Sequence, residues 1–351
     1  MSTEEGGPDE SRRDVANGAR RKASPETGFR RMLVGSSAAI ATMRSKASSS
    51  SVAALVEAHV PPAWRRPRRL MFVGVLLLAA IALVIATRPT LPRHPAPGTT
   101  VFPIDHRVVL RFVHSTGSVH VRAGPDGQVS ITEKRSGITD AIHTRYRQQG
   151  DVITVIVSID HGLSLATWVD FKVAVPRDTS ANVAVSAGTL NAAGVTGNFV
   201  LQDTNGSISA TNVSGAIALH TASGSINTSR VSGQVSAITG NGTITTISTR
   251  LHGHSLVQAQ SGTINFHGSL EPGCHAVFKN TNGAIGVTLP SSSSVLVDAR
   301  TRFGSINSGF SSVHVVSASE GRVANGRVGR GAPASLSIKT MGGSIDLNHR
   351  T

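Results

Sequence analysis

Glycine recurs every nine residues in the middle of this chain, and this spacing limits the folds that are open to it. The series is Gly188, Gly197, Gly206, Gly215, Gly224, Gly233 and Gly242. The residue two positions after each glycine is always apolar: Leu190, Phe199, Ile208, Ile217, Ile226, Val235 and Ile244. Alternate units are more alike than neighbouring ones, since Asn205-Gly-Ser-Ile208 matches Ser223-Gly-Ser-Ile226 and Asn241-Gly-Thr-Ile244. The true period is therefore eighteen residues.

A period of eighteen residues is too short for a helix pair, a leucine-rich repeat with its own helix or a propeller blade, but it matches one coil of a β-solenoid. We therefore predict an all-β fold, a β-solenoid with 18-residue coils. In one half-coil, alternation predicts that Ile208, Ala210 and Val213 point inward and that the residues between them point outward: Ser207, Ser209 and Thr211. Coils stacked about 4.8 Å apart would place equivalent isoleucines in one aliphatic ladder: Ile208, Ile226 and Ile244.

The glycine motif continues on both sides of the regular region at wider spacings. The further copies are Gly117-Ser-Val119, Gly262-Thr-Ile264, Gly283-Ala-Ile285, Gly304-Ser-Ile306 and Gly343-Ser-Ile345. Longer intervals predict loops inserted at the turns. The segment 104–180 reads instead as ordinary alternating strands, with Trp168 and Phe171 as large anchoring aromatics. We expect it to cap the first coils of a solenoid domain that spans 104–351.

The amino-terminal third of the chain has the composition of a membrane-anchored protein. Residues 1–69 carry 13 Lys or Arg against 7 Asp or Glu with almost no aromatic residues, which predicts a disordered basic tail. Eighteen uncharged residues follow, from Leu70 to Thr87, and predict a transmembrane helix about 27 Å long. Five prolines in 88–103 predict an extended stalk.

The position of the apolar segment favours an uncleaved signal anchor over a secretory leader. It begins some seventy residues into the chain and continues past the internal Ala80-Ile-Ala82. Four arginines within 65–69 precede it, whereas only Arg88 and Arg93 follow closely. The positive-inside rule then predicts a single-pass protein of the cell membrane, with its amino terminus in the cytoplasm and the C-terminal domain outside.

The formal charge of +14 and the pI near 11.4 are thereby explained mainly by membrane topology. Contact of the juxtamembrane arginines with anionic lipid is a natural addition. The tail lacks the interleaved aromatic residues of a single-strand binder, and it shows no zinc-finger or basic-zipper spacing. We therefore expect no nucleic-acid partner. A single cysteine, Cys274, excludes an intramolecular disulfide and a cysteine-based zinc cluster.

The chain offers few residues for catalysis or metal binding. A calcium-binding β-roll needs an aspartate in each unit, and the seven regular units contain only Asp203. Between 188 and 290 the only acidic residues are Asp203 and Glu271, so no acid–base pair of a glycosidase is expected, and no Gly-x-Ser-x-Gly elbow occurs. We therefore predict a non-enzymatic protein with no cofactor, no catalytic residues and no metal ligands.

Three weaker patterns remain open at this stage. An exposed transition-metal site is one interpretation of the histidines around the turn at 253, and ordinary surface residues are the other: His252, His254, His267 and His275. Four sequons, at Asn205, Asn212, Asn227 and Asn241, arise automatically from a repeat with Asn before Gly and Ser or Thr after it. Arg322, Arg327 and Arg330 either contact an anionic envelope polymer or belong to a solvated loop.

The motifs of the C-terminal domain resemble the bacterial β-strand-repeat domains of unknown function labelled putative adhesins. The resemblance rests on the Gly117-Ser-Val-His-Val121 opening, the strand ending in Val175-Pro176 and the serial motifs from Gly188 to Gly343, and it covers about 104–349. It implies a β-solenoid at the cell envelope and no catalytic residues. The long basic tail departs from the family pattern.

Two functions follow as hypotheses, and a passive structural spacer stays open as a third. The first is a non-enzymatic, membrane-anchored cell-envelope protein that presents a rigid β-solenoid for adhesion, or for binding polysaccharide, peptidoglycan or another envelope protein. The second is a transmembrane sensor or regulator of envelope state that acts through its basic cytoplasmic tail.

Overall fold

The computed structural model describes residues 98–160 and 167–350. The predicted tail, the predicted membrane span and most of the predicted stalk therefore lie outside the described residues and stay predictions. Within the described ranges no helix combines the length and the hydrophobicity needed to cross a membrane.

The described part of the chain is all-β, with 22 strands and one short 3-10 helix at Thr139–Ala141. The strands are β1 (Thr99–Pro103), β2 (Val108–Ala123), β3 (Gln128–Gly137), β4 (Ile142–Gln149), β5 (Val152–Ile159), β6 (Thr167–Val175), β7 (Thr179–Ala193), β8 (Phe199–Thr211), β9 (Ser214–Ser223), β10 (Ile226–Ser229), β11 (Ser232–Asn241), β12 (Ile244–Leu251), β13 (His254–Ser261), β14 (Ile264–Leu270), β15 (His275–Asn282), β16 (Ile285–Pro290), β17 (Val295–Phe303), β18 (Ile306–Ser308), β19 (Val313–Ala318), β20 (Gly321–Val328), β21 (Ala334–Gly342) and β22 (Ile345–Arg350).

Strands of the regular region pair in parallel with an offset of eighteen residues. Ile208 pairs with Ile226, and Ile226 pairs with Ile244. Ile217 of β9 pairs with Val235 of β11 in the same way. The predicted inward residues Ile208, Ala210 and Val213 are each fully buried, because alternate side chains of a strand point to opposite faces. The predicted period and the predicted orientation of this unit are confirmed.

The same aliphatic ladder includes alternate copies of the motif in the regular region and all the copies at irregular spacing, whereas Phe199, Ile217 and Val235 form a second ladder. The successive members of the first ladder are all buried: Val119, Leu190, Ile208, Ile226, Ile244, Ile264, Ile285, Ile345 and Ile306. Each side chain covers the apolar edge of the one before it, which is the main source of stability in a stack of this kind.

The strands form two continuous runs, and the long strands β2, β7 and β8 contribute to both. The first run has the order β4-β5-β2-β7-β8-β9-β11-β13-β15-β21-β17-β20-β19. The second run has the order β1-β3-β6-β2-β7-β8-β10-β12-β14-β16-β22-β18. The segment 104–180 lies at one end of both runs, where we expected a cap.

Two details of this end differ from the sequence-based expectation. Thr99–Pro103, assigned above to the stalk, forms the edge strand β1, and its Phe102 is buried beside Tyr146 at 6.0 Å between ring centroids. Proline is tolerated there because an edge strand leaves amides unpaired.

The prediction that Trp168 anchors the core is wrong. Val169 and Phe171 of β6 point inward, so alternation leaves Trp168 40% exposed.

The last coil does not lie at the end of the stack. Val277 of β15 pairs with Ser337 of β21, and Ser337 pairs on its other side with Asp298 of β17. Ile285 and Ile306 likewise flank Ile345. The chain therefore leaves one layer open after β16, forms β17 to β20, and returns to fill the open layer with β21 and β22. Stacking in simple chain order, as the sequence suggested, is wrong for these two coils.

A column of buried polar side chains satisfies the turn carbonyls along the stack. Each hydroxyl or amide donates to the carbonyl oxygen of a glycine in a neighbouring coil, over 2.8 to 3.4 Å. The donors are Thr221 to Gly206, Thr239 to Gly224, Asn280 to Gly262, Thr340 to Gly283 and Thr301 to Gly343. These bonds matter because an unpaired buried carbonyl is costly.

Asp203 occupies the same column but is an acid where its neighbours are donors. It pairs in register with Thr221, is only 3% exposed, and its Oδ2 has no hydrogen-bond partner. Burial raises the pKa of Asp203 from 3.8 to about 6, although backbone amides of Asn205 and Thr204 act in the opposite direction. Protonation supplies the O–H donor that this position otherwise lacks.

We expect Asp203→Asn to stabilise the protein at neutral pH. Because the folded-state pKa lies above the unfolded one, the contribution of Asp203 to stability is largest below about pH 4 and is lost as the pH rises toward 6. The asparagine has no such dependence, so its advantage at pH 7 should be about 1 to 2 kcal/mol and should shrink at pH 4. Urea unfolding at the two pH values measures this difference. An equal effect of the substitution at both pH values would contradict a raised pKa of Asp203 in the folded protein.

Candidate functional site

A surface cavity of about 240 Å³ lies beside four successive strands of the stack, where their pairing is interrupted. Its walls come from β12, β14, β16 and the end of β22. The lining residues are Ser248, Thr249, Arg250, His267, Gly268, Ser269, Thr288, Leu289, Pro290 and Arg350.

Two local irregularities create this cavity. Ser248, at φ +53°, repeats the conformation of Arg230 and Asn212 in the preceding coils, but β14 has no residue opposite it, so the register shifts and β12 carries one residue more than its partner. β16 pairs with β14 only as far as His267, which lies opposite Thr288. Leu289 and Pro290 then continue along β22. The coil that contains β16 therefore does not cover Gly268 and Ser269 of β14, and the cavity lies over these two residues.

The cavity offers hydroxyl, imidazole and guanidinium groups beside the apolar Leu289 and Pro290. Arg250 is held by Glu271, with 3.2 Å between Nε and Oε1, and none of the described residues that line the wall is a carboxylate. Such a mixture of donors and a small apolar surface suits a sugar ring or a small anion.

The histidines considered as a metal site are only partly brought together. His254 and His275 pair in register, and their rings stack with 5.0 Å between centroids. His252 lies within 3.3 Å of the Ser232 hydroxyl instead, and His267 belongs to the cavity wall on β14. Within residues 98–160 and 167–350 no group of three His, Cys, Asp or Glu side chains is placed to hold a metal ion.

The two acidic residues of the central region, Asp203 and Glu271, lie in different surroundings. Asp203 is buried in the polar column of β8, while Glu271 is partly exposed and paired with Arg250. The sequence did not reveal a hydrogen-bonded cluster that forms around the carboxylate of Glu133. This buried side chain accepts hydrogen bonds from Thr144, Tyr146 and Arg135 at 2.7, 2.8 and 2.7 Å. Both of its oxygens are thus occupied, and the cluster stabilises the cap.

Two further titratable groups, His114 and Cys274, are buried, and burial shifts the pKa of each. His114 Nε2 lies 3.0 Å from the Val169 carbonyl oxygen, and burial lowers the pKa of His114 to about 4. The neutral ring packs edge-on against Phe112 and Phe171. Burial, with a smaller effect of Glu271, raises the pKa of the Cys274 thiol to about 11. Neither group is exposed to a substrate.

The arginines near the C-terminus do not form a loop cluster. Arg322 and Arg327 lie on β20, and Arg330 follows it. Arg327 is exposed and donates through Nη2 to the Gly331 carbonyl oxygen over 2.9 Å. The solvated-loop interpretation is therefore wrong for Arg322 and Arg327, because the glycine-rich segment pairs antiparallel with β17 and β19.

No family model and no curated protein match this chain. Solved structures that it is similar to include a putative adhesin from Bacteroides fragilis, 11% identical, covering 73% of this chain and 99% of that one with a TM-score of 0.33. Another is a putative adhesin from Parabacteroides distasonis, 9% identical, with coverages of 73% and 99% and a TM-score of 0.32. A putative lipid binding protein from the same organism is 12% identical, with coverages of 72% and 96% and a TM-score of 0.24.

Two of these three structures carry the name putative adhesin, which is also the name of the family that the sequence motifs resemble.

Proposed function

We propose that this protein is a non-enzymatic, membrane-anchored component of a bacterial cell envelope that uses a β-solenoid to bind envelope polymers. Its binding surface is the outer side of the stacked coils, and its anchor is the apolar segment Leu70 to Thr87. The domain 98–350 is then extracytoplasmic.

The observation that carries this proposal is the in-register pairing of the coils. Because Ile208, Ile226 and Ile244 pair directly, the residues beside them also repeat at the strand spacing of about 4.8 Å: Ser209, Asn227 and Thr245. A flat face with hydroxyl and amide groups at a fixed spacing makes many weak, repeated contacts, which suits a polymer better than a single small substrate.

The chemistry of the described residues supports binding rather than turnover. Glu133 is saturated by three donors, Asp203 is buried in the stack, and Glu271 is paired with Arg250. The described residues that line the cavity around His267 supply hydrogen-bond donors and no carboxylate. These features are consistent with a site that recognises a sugar and releases it unchanged.

Co-sedimentation of the full chain, solubilised in detergent, with insoluble bacterial cell-wall material tests this function. We expect the full chain to sediment with the wall material, and a fragment of residues 1–97, which retains the basic tail, to sediment far less. Equal sedimentation of the two would assign binding to the tail and contradict the proposal. Absence of binding by the full chain to wall and to soluble envelope polysaccharide would also contradict it.

A further inference from the structure

Three cationic side chains lie side by side on the outer surface of the last coils. Lys279 of β15 pairs with Lys339 of β21, and Lys339 pairs with Arg300 of β17. All three are exposed, while the residues just before them are buried: Phe278, Ile338 and Ala299. Adjacent strands lie about 4.8 Å apart, so three positive charges occupy a width of about 10 Å.

Acidic residues compensate for only one of the three charges, that of Arg300. Asp298 is the one carboxylate among the outward residues of these strands, and its Oδ1 already accepts from Arg300 Nε at 3.0 Å. Lys279 and Lys339 form no ion pair within the described residues. From 279 to 350 the chain has eight Lys or Arg against three acidic residues, whereas 98–178 is close to balanced.

Like charges placed directly opposite each other destabilise a sheet. In this protein the three cations lie opposite one another because the last coil returns into the stack. Lys339 lies between two strands that already carry Lys279 and Arg300. A neutral side chain would fit this exposed position equally well. An unfavourable arrangement that packing does not require is typical of a binding surface.

The surroundings of the row are suited to a sugar polymer. The side chain of Arg302, two residues after Arg300, lies 5.3 Å from the ring of Phe303, which is 68% exposed. Met341 is 51% exposed two residues after Lys339, and Ser337 lies two residues before it. Exposed apolar groups contact the C–H faces of sugar rings, while serine hydroxyls and cations bind hydroxyl and carboxylate groups.

We propose that the face formed by Lys279, Lys339, Arg300, Arg302 and Phe303, here called the basic face, binds a linear acidic polysaccharide with regularly spaced uronate carboxylates. This rests on the proposed function and names its ligand class. The polymer crosses the strands, so that consecutive carboxylates meet Lys279, Lys339 and Arg300. Binding relieves the repulsion within the row and is weakened by salt.

Footprinting of lysine amines in the detergent-solubilised full chain tests the proposal site by site. The probe is polygalacturonate, and the readout is the acetylation rate of each lysine by mass spectrometry. We expect polygalacturonate to slow acetylation of Lys279 and Lys339 by about tenfold, equivalent to ~1.4 kcal/mol. Lys134 and Lys172, which are also exposed strand residues but belong to the cap, should keep their rates. Uniform protection of all four would overturn the proposal.

A matched pair of variants provides the second measurement. The double variant Lys279→Gln and Lys339→Gln should bind polygalacturonate about tenfold more weakly than the wild type. The double variant Lys134→Gln and Lys172→Gln removes the same charge and should bind like the wild type. Both variants retain the basic tail, so its background contribution cancels. Equal affinity of the two variants would overturn the proposal.

The choice of polymer separates an acidic glycan from other anionic ligands. Protection of Lys279 and Lys339 by polyphosphate or by phosphatidylglycerol vesicles as strong as that by polygalacturonate would overturn the glycan assignment. Equal protection by neutral dextran would do so as well. If the full chain binds cell-wall material but polygalacturonate leaves Lys279 and Lys339 unprotected, this inference fails and the proposed function stands. If it binds neither, both fail.

Discussion

Replacement of Gly224 with alanine is expected to destabilise the protein by about 3 kcal/mol or more. Gly224 has φ +151°, a conformation that residues with a Cβ rarely adopt. A Cβ at this position would lie 1.7 Å from the carbonyl oxygen of Gly206 in the preceding coil. The clash is with backbone on a stacked strand, so it is relieved only by separating two coils. Urea unfolding followed by circular dichroism measures the loss.

Gly286→Ala is the matched control for this prediction. Gly286 also lies on a strand of the stack, but the nearest atom to its added Cβ is Asn265 Oδ1 at 3.4 Å, an ordinary contact. Its stability should change by less than about 1 kcal/mol. Similar effects of the two substitutions would show that coils do not approach each other at the glycine turns.

The core of the stack follows directly from the sequence pattern. Ile208, Ile226 and Ile244 were assigned to one ladder because they recur every eighteen residues, and the structure places them in register. The irregular copies at Gly117 and Gly343 join the same ladder, because a loop inserted at a turn does not change which side chains face inward. Periodicity therefore predicts orientation reliably even where spacing drifts.

The order of the last coils does not follow from the pattern. Gly304-Ser-Ile306 and Gly343-Ser-Ile345 carry the same motif, and either one fits beside Ile285. In the structure β17 has β21 on one side and the hairpin of β19 and β20 on the other, and no periodic signal in the sequence indicates this pairing. The basic face was missed for this reason, since Lys279 and Lys339 are sixty residues apart in the chain.

The glycine spacing does not indicate the cavity. Gly242 and Gly262 are twenty residues apart rather than eighteen, but the two extra residues lie after Leu251, since Gly233 pairs with Leu251 and Ser236 pairs with Leu256. The register shift at Ser248 is instead a difference from the following strand β14, which the spacing does not reveal. Asp203 was correctly noted as the one acid of the regular units, yet its burial in a column of donors needed the register of β8 with β9.

The return of the last coil predicts a large and specific difference in disulfide formation. Val277 and Asp298 both pair with Ser337, from opposite sides. Neighbouring strands about 4.8 Å apart fall within the 4.4 to 6.8 Å Cα separation that a disulfide requires. Strands two positions apart, at about 10 Å, exceed it. Cysteines at 277 and 337 should therefore cross-link, and cysteines at 277 and 298 should not.

The most direct test of the stacking order is this cross-linking in the full chain with Cys274→Ser, so that the buried native thiol takes no part. After mild oxidation, proteolysis and mass spectrometry, we predict nearly complete linkage of the Val277→Cys, Ser337→Cys pair and almost none of the Val277→Cys, Asp298→Cys pair. The reverse result would show that the coils stack in chain order, and it would remove Lys339 from the row that forms the basic face.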